Sequence, residues 1–109
     1  MILINTTFCV DKGISEEFIS FLRDTYIPLA KDSGMYAMLL SEMREQEQDP
    51  HQSPTRTLAL QMRAPSSAVA DAFCEDVLTQ LYNYIVETWG QRVVLFETIL
   101  DVLVDSAKQ

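Results

Sequence analysis

The chain is poor in the residues that carry most protein chemistry. It has one histidine, two cysteines and eight lysines and arginines among 109 residues. A metal site needs several ligands held rigidly, and the lone His51, set between Pro50 and Pro54 in a polar stretch, does not supply them. It reads as a solvated loop residue. No motif for a metal or a cofactor is present, and none is expected to bind. Cys9 and Cys74 lie far apart with no Cys-x-x-Cys pairing, so both are expected to be free thiols in a reducing compartment. The eight basic residues are scattered among sixteen acidic ones, for a formal net charge of -8. Phosphate recognition needs clustered Lys and Arg, so nucleic acid is excluded as a partner, and an anionic membrane surface is disfavoured for the same reason. No apolar run approaches the ~20 residues of a membrane span. Met1-Ile2-Leu3-Ile4-Asn5-Thr6-Thr7 lacks the basic start and small-residue cleavage site of a signal peptide, so the expected location is cytoplasmic.

What the chain does have is apolar patterning. Its hydrophobic fraction of 48% is ordinary for a globular fold and too high for disorder, and residues 1–109 are expected to form one domain. Residues 2–10 alternate as a strand, with Ile2, Ile4, Thr6, Phe8 and Val10 on one face and Leu3, Asn5, Thr7 and Cys9 on the other. After the Asp11-Lys12-Gly13 turn, Ser15 has the features of a helix N-cap, and Phe18, Phe21, Leu22, Thr25, Tyr26 and Leu29 form an apolar stripe. Pro28 is expected to end or kink this helix or to start a fresh turn, and Gly34 to close it as a C-cap. Residues 35–45 read as a second strand, apolar on both faces in its front half and so buried from both sides. Residues 46–54 form a polar hairpin loop and residues 55–64 a third strand. A second helix runs from about 67 to 88. Its core stripe includes Ala70, Phe73, Cys74, Val77, Leu81, Tyr84 and Ile85, and Leu78, Tyr82, Val86 and Trp89 lie on an adjacent face. Gly90 ends it, and residues 92–104 form a last strand that is largely apolar on both faces.

The order β-α-β-β-α-β is the ferredoxin-like split βαβ pattern, an α+β fold. It implies a four-stranded antiparallel sheet of order 4-1-3-2 with both helices on one face. The other face is open. It is expected to carry Leu3, Asn5, Thr7, Cys9, Ala59, Gln61 and Arg63, with Val93, Leu95, Glu97, Ile99 and Asp101 from the last strand. So much exposed Leu, Val and Ile is unusual on a monomer, and a second subunit is expected to cover it, sheet against sheet. Asn5, Thr7, Gln61, Arg63 and Glu97 are the candidate ligand-binding residues. Polar groups in an apolar space bond to one another, to water or to a ligand. A network at a dimer interface is the simpler account of the same residues, and a small-molecule pocket is the sharper one. Glu97 and Asp101, about 13 Å apart at ~3.3 Å per residue, are too distant to act as a glycosidase pair, but either could serve alone as a base or pair with Arg63. Cys9 has no base beside it in the strand and reads as a packed thiol; Cys74 reads as core.

Four segments, in register over nearly the whole chain, resemble the domain of unknown function 4286 family of small bacterial proteins. They are Met1-Ile2-Leu3-Ile4-Asn5-Thr6-Thr7, Tyr26-Ile27-Pro28 leading to Gly34, Leu60-Gln61-Met62-Arg63-Ala64, and Phe96-Glu97-Thr98-Ile99-Leu100-Asp101-Val102. The resemblance implies a dimeric α+β barrel in which two ferredoxin-like sheets face each other. Asn5, Gln61 and Thr98 fall on family positions. The family pattern has His-Ile-Pro where this chain has Tyr26-Ile27-Pro28, so a role built on that histidine does not transfer. The expected function is that of an uncharacterised homodimer with any small ligand held between the sheets. The alternatives are a cofactor-independent enzyme of the dimeric α+β barrel kind, resembling monooxygenases or isomerases, and a protein-interaction module that uses the 46–54 loop or the outer stripe of the second helix.

Overall fold

The first strand sets the two layers. In β1 (Ile2–Asp11), Ile4, Thr6, Phe8 and Val10 are completely buried, while Leu3, Asn5, Thr7 and Cys9 between them are half-buried on the opposite face. The structure, a computed structural model, describes residues 1–44 and 54–106. β1 pairs antiparallel with β3 (Thr55–Ala64) on one side and with β4 (Val93–Asp101) on the other, and β2 (Tyr36–Glu42) adds to β3. The sheet order is β2-β3-β1-β4, which is the ferredoxin-like arrangement that the element order predicts. β3 repeats the alternation of β1: Leu58, Leu60, Met62 and Ala64 are buried beneath the helices, and Ala59, Gln61 and Arg63 face the other way.

Two strands depart from expectation. Residues opposite each other in an antiparallel ladder share a face. Val94, Phe96, Thr98 and Leu100 stand opposite Cys9, Thr7, Asn5 and Leu3, so these four lie on the open face. Val93, Leu95, Glu97 and Ile99 stand opposite Val10, Phe8, Thr6 and Ile4 and lie on the helix side, the reverse of the sequence reading. β2 is an edge strand and is not buried from both sides: Tyr36 and Leu39 are exposed, and only Met38 and Leu40 pack against the core. A bulge between Tyr36 and Leu39 breaks its register, with Ala37 at φ 53°.

The first helical segment is one rod in three parts: α1 (Ser15–Phe21), a π-helical turn over Leu22–Tyr26, and α2 (Ile27–Asp32). The buried residues Phe18, Leu22, Tyr26 and Ala30 recur every fourth position. In a regular α-helix that spacing drifts by about 40° per step, and the wider i→i+5 turn brings Tyr26 back onto the core. Thr25 and Leu29, expected in the stripe, turn to solvent. Pro28 falls in the first turn of α2, where its missing N–H is least costly. Ser15 does not cap α1. Its hydroxyl donates to the Lys12 carbonyl at 3.1 Å, and Asp11 caps the preceding short turn by accepting from the Gly13 amide at 2.7 Å. At the far end Gly34, at φ 97°, donates to the Lys31 carbonyl and Met35 donates to the Ala30 carbonyl, both at 3.0 Å, which forms a Schellman close.

The second helix breaks in two, α3 (Ser67–Glu75) and α4 (Val77–Trp89), at Asp76, whose φ and ψ are -105° and -72°. Side chains cover the interruption: the Thr79 hydroxyl donates to the Cys74 carbonyl at 3.3 Å, and Gln80 Nε2 donates to Asp76 Oδ1 at 2.6 Å. Leu78 and Trp89 of the supposed outer stripe are buried, whereas Tyr82 and Val86 are exposed. Tyr84, expected in the core, is half exposed and stacks on Phe21 with centroids 4.6 Å apart. Phe8, Phe18 and Trp89 lock the helices to the sheet edge-to-face at 5.1 Å. Such contacts are worth ~0.5–1.5 kcal/mol each beyond the area they bury. Arg56 ties β3 to β2 and α1 through a two-bond fork on Glu42 at 2.8 and 2.7 Å and a contact with Glu16 at 2.7 Å.

Candidate functional site

The register assembles a polar row across the open face. Gln61, Asn5 and Thr98 stand side by side on three adjacent strands, with Leu39 beyond Gln61 on β2. Period-two alternation puts Thr7 and Arg63 on the same face, one on either side of the row. Asn5 Oδ1 is buried and has no hydrogen-bond partner among the described residues. An unpaired buried carbonyl of this kind costs ~1–3 kcal/mol until a donor reaches it. Around the row lie apolar groups left open to solvent: Val94 and Phe96 at 57% exposure each, Leu39 at 59% and Leu100 at 43%.

At one end of this face the chain leaves β4 and crosses back. The Val102 amide donates to the Met1 carbonyl at 2.9 Å, and Arg63 reaches Asp105 Oδ2 at 3.2 Å through one guanidinium nitrogen. Leu3, Ala37, Leu39, Gln61, Arg63 and the 102–106 segment enclose a cleft of about 370 Å³. Arg63 therefore pairs with Asp105 and not with Glu97 or Asp101. The strand pattern gave no sign of Asp105, because it lies beyond the last residue of the predicted strand.

Glu97 does not join the other four candidates. It stands opposite Thr6 on the helix side of the sheet, where Cys74, Leu78, Thr79, Tyr82, Leu95, Phe96 and Glu97 line a separate cleft of about 290 Å³. Burial pushes the Glu97 carboxyl above its ordinary range. Cys74 is half-buried at this cleft and not deep in the core, and its thiol is raised by burial first and then by Glu97 and Asp71. Behind it the Tyr26 hydroxyl and Thr6 Oγ1 are buried without partners among the described residues, and burial, then Cys74 and Glu97, lift the Tyr26 phenol well above the usual phenol range. The sequence held one signal for this second locus, Pro28 two residues after Tyr26, since a proline inside a helical pattern marks a disturbed turn.

Cys9 sits on the open face as expected, half-buried and opposite Val94 and Thr57. His51 and most of the 46–54 loop lie outside the described residues. Among the described residues no three His, Cys, Asp or Glu side chains come together as metal ligands, and no helix is long and apolar enough to cross a membrane.

No curated protein matches the sequence significantly. Solved structures do match the fold. A dimeric ferredoxin-like protein from an uncultured marine organism is 11% identical with a TM-score of 0.63, covering 95% of this chain and 96% of that one. An EthD family protein from Bacillus halodurans is 12% identical with a TM-score of 0.61, over 94% and 100% of the two chains. The cofactor-independent oxygenase SnoaB from Streptomyces nogalater is 12% identical with a TM-score of 0.59, over 96% of each. At these identities the likeness establishes the ferredoxin-like fold and leaves the role unknown. The model of one family covers residues 1–103, and the chain belongs to that family, the domain of unknown function DUF4286.

Proposed function

We propose that two copies of the chain pair through their open sheet faces and hold a small molecule in the space between them. One observation carries this reading: a row of polar groups, Gln61, Asn5 and Thr98, lies inside a largely apolar and uncovered face. Apolar walls with a few convergent polar groups are the composition of a small-molecule site, and a second copy is the occupant that would complete the walls. Similar folds described as dimeric ferredoxin-like proteins support that choice of partner. Light scattering after size exclusion at micromolar concentration tests it. The wild type should run at twice the chain mass, and Phe96→Glu, which puts a charge among the exposed apolar groups of the face, should weaken the dimer at least tenfold while the far-ultraviolet spectrum is kept. A wild type that runs at 12.4 kDa sinks the reading.

A second reading, a cofactor-independent enzyme, is favoured by a different observation. Glu97, Cys74 and the hydroxyls of Tyr26 and Thr6, unpartnered among the described residues, gather on the helix side of the sheet. A carboxyl whose titration is raised by burial, set beside fixed hydroxyls, is suited to general acid–base work. Carbon-detected titration of the Glu97 carboxyl tests it: a midpoint at the ordinary glutamate value removes the chemistry.

A further inference from the structure

We propose that the cleft at the end of the open face binds a small monocarboxylate with an apolar body, and that Asp105 is a tethered competitor for the same guanidinium. The inference deepens the reading of the open face as a ligand site and rests on it.

Arg63 is the one basic side chain on that face among the described residues. It is two-thirds buried, and its contact with the still more deeply buried Asp105 is a single bond at 3.2 Å. A guanidinium carries five N–H donors and is best matched by a carboxylate that takes two of them in parallel. The Asp105 contact is therefore long and incomplete. A half-buried cation also cannot be left without an anion at small cost, so only another anion can displace Asp105. The remaining lining suits an amphiphilic anion. Gln61 brings a side-chain amide to the same cleft as Arg63, and Leu3, Leu39, Val102 and Val104 provide its apolar walls.

The 102–106 segment is placed to move. Its last backbone anchor before Asp105 is the bond from Val102 to Met1. Past that anchor Leu103 is 92% exposed and Val104 73%, so Asp105 supplies most of the buried surface that holds the segment. The net charge of -8 makes the rest of the surface unfriendly to anions, which leaves Arg63 as a local exception. Competition by Asp105 sets a threshold: an anion that makes one bond gains nothing over Asp105, and one that takes the fork and fills the cleft does.

The test is a backbone-amide chemical-shift titration of the full chain with hexanoate, using hexanol as the uncharged control, on the wild type, Asp105→Asn, Arg63→Gln and Arg63→Lys. Hexanoate should give saturable shifts at Leu3, Gln61 and Val102. Asp105→Asn should bind it about three- to tenfold more tightly. Arg63→Gln should lose at least tenfold, and Arg63→Lys, which keeps the charge without the fork, should fall between. A wild-type-like amide spectrum for each variant shows that the fold is kept. The inference is overturned if Arg63→Gln binds hexanoate as well as the wild type does, or if Asp105→Asn gains nothing. Hexanol and hexanoate binding equally at these residues would sink the carboxylate assignment and leave the open face as a ligand site. No shift on the open face with either probe would sink both.

Discussion

Tyr26 buries a hydroxyl that no described residue bonds, at 2% exposure of the side chain. Burying such a group without a partner costs ~1–3 kcal/mol, whereas the ring itself fills the core. Tyr26→Phe should therefore stabilise the fold by about 1 kcal/mol in urea denaturation; a loss of that size would mean that the hydroxyl is bonded after all. Glu97 makes a pH-dependent counterpart. Its folded-state carboxyl is raised by burial, so the folded chain holds the proton more tightly than the unfolded one. Its contribution is present below the ordinary glutamate value and is lost as the pH rises through the folded-state value. Relative to the wild type, Glu97→Gln should gain stability across that window and keep the gain at pH 7, read as the difference between urea midpoints at pH 3.5 and pH 7. At this scale the sequence was legible for Asn5, Thr7, Gln61 and Arg63, because β1 and β3 alternate apolar with polar. Glu97 was misread because β4 offers no such contrast. Val93, Leu95 and Ile99 are as apolar as Val94, Phe96 and Leu100, and in a strand a choice wrong by one residue turns every side chain to the other face. Thr98, already grouped with Asn5 and Gln61 by the family resemblance, was the mark that would have fixed it.

Among the elements, the caps carry more definition than the helical runs between them. Gly34 closes α2 at φ 97°, and a Cβ there would meet Val69 Cγ1 at 3.4 Å, so the backbone and not crowding makes the demand. Gly34→Ala should cost more than about 1 kcal/mol, seen as a fall in Tm of roughly 4–8 °C for each kcal/mol in a chain of this size. Ser66 accepts from the Val69 amide at 3.2 Å at the start of α3, and Ser66→Ala should cost about 1 kcal/mol in the same measurement. Gly34 and the start of the second helix near residue 67 are visible in the sequence because each answers a local steric or hydrogen-bonding requirement. The break at Asp76 is not, since the apolar period runs through it from Phe73 to Val77 and Leu81, and the bonds that cover it come from Thr79 and Gln80, ordinary residues for a helix surface. The π turn is half visible in the sequence: Pro28 marks a disturbance, but Phe18, Phe21, Leu22, Thr25, Tyr26 and Leu29 have the spacing of an ordinary α-helical stripe.

For the whole molecule, the surplus of apolar residues and the acidic charge act against each other. In the proposed dimer the exposed Val94, Phe96, Leu100 and Leu39 would draw two copies together, and each copy would bring a net charge of -8. Screening shortens the reach of that repulsion to about 8 Å at physiological salt and about 3 Å at 1 M. Raising sodium chloride from 50 mM to 500 mM should therefore tighten the dimer severalfold in sedimentation-velocity titrations; weakening with salt would mean that ion pairs and not apolar contact hold the interface. The topology was legible in full, because strand order follows from element order and connection length. One further consequence belongs to β2. A straight outer strand offers a row of free amides and carbonyls onto which the same strand of another molecule can stack without end, the route to fibres. The kink at Ala37 puts two residues of β2, Ala37 and Met38, against one of β3, Met62, and twists the exposed edge out of line. That irregularity, which leaves an alanine in a conformation better suited to glycine, makes the β2 edge a poor template for a further strand.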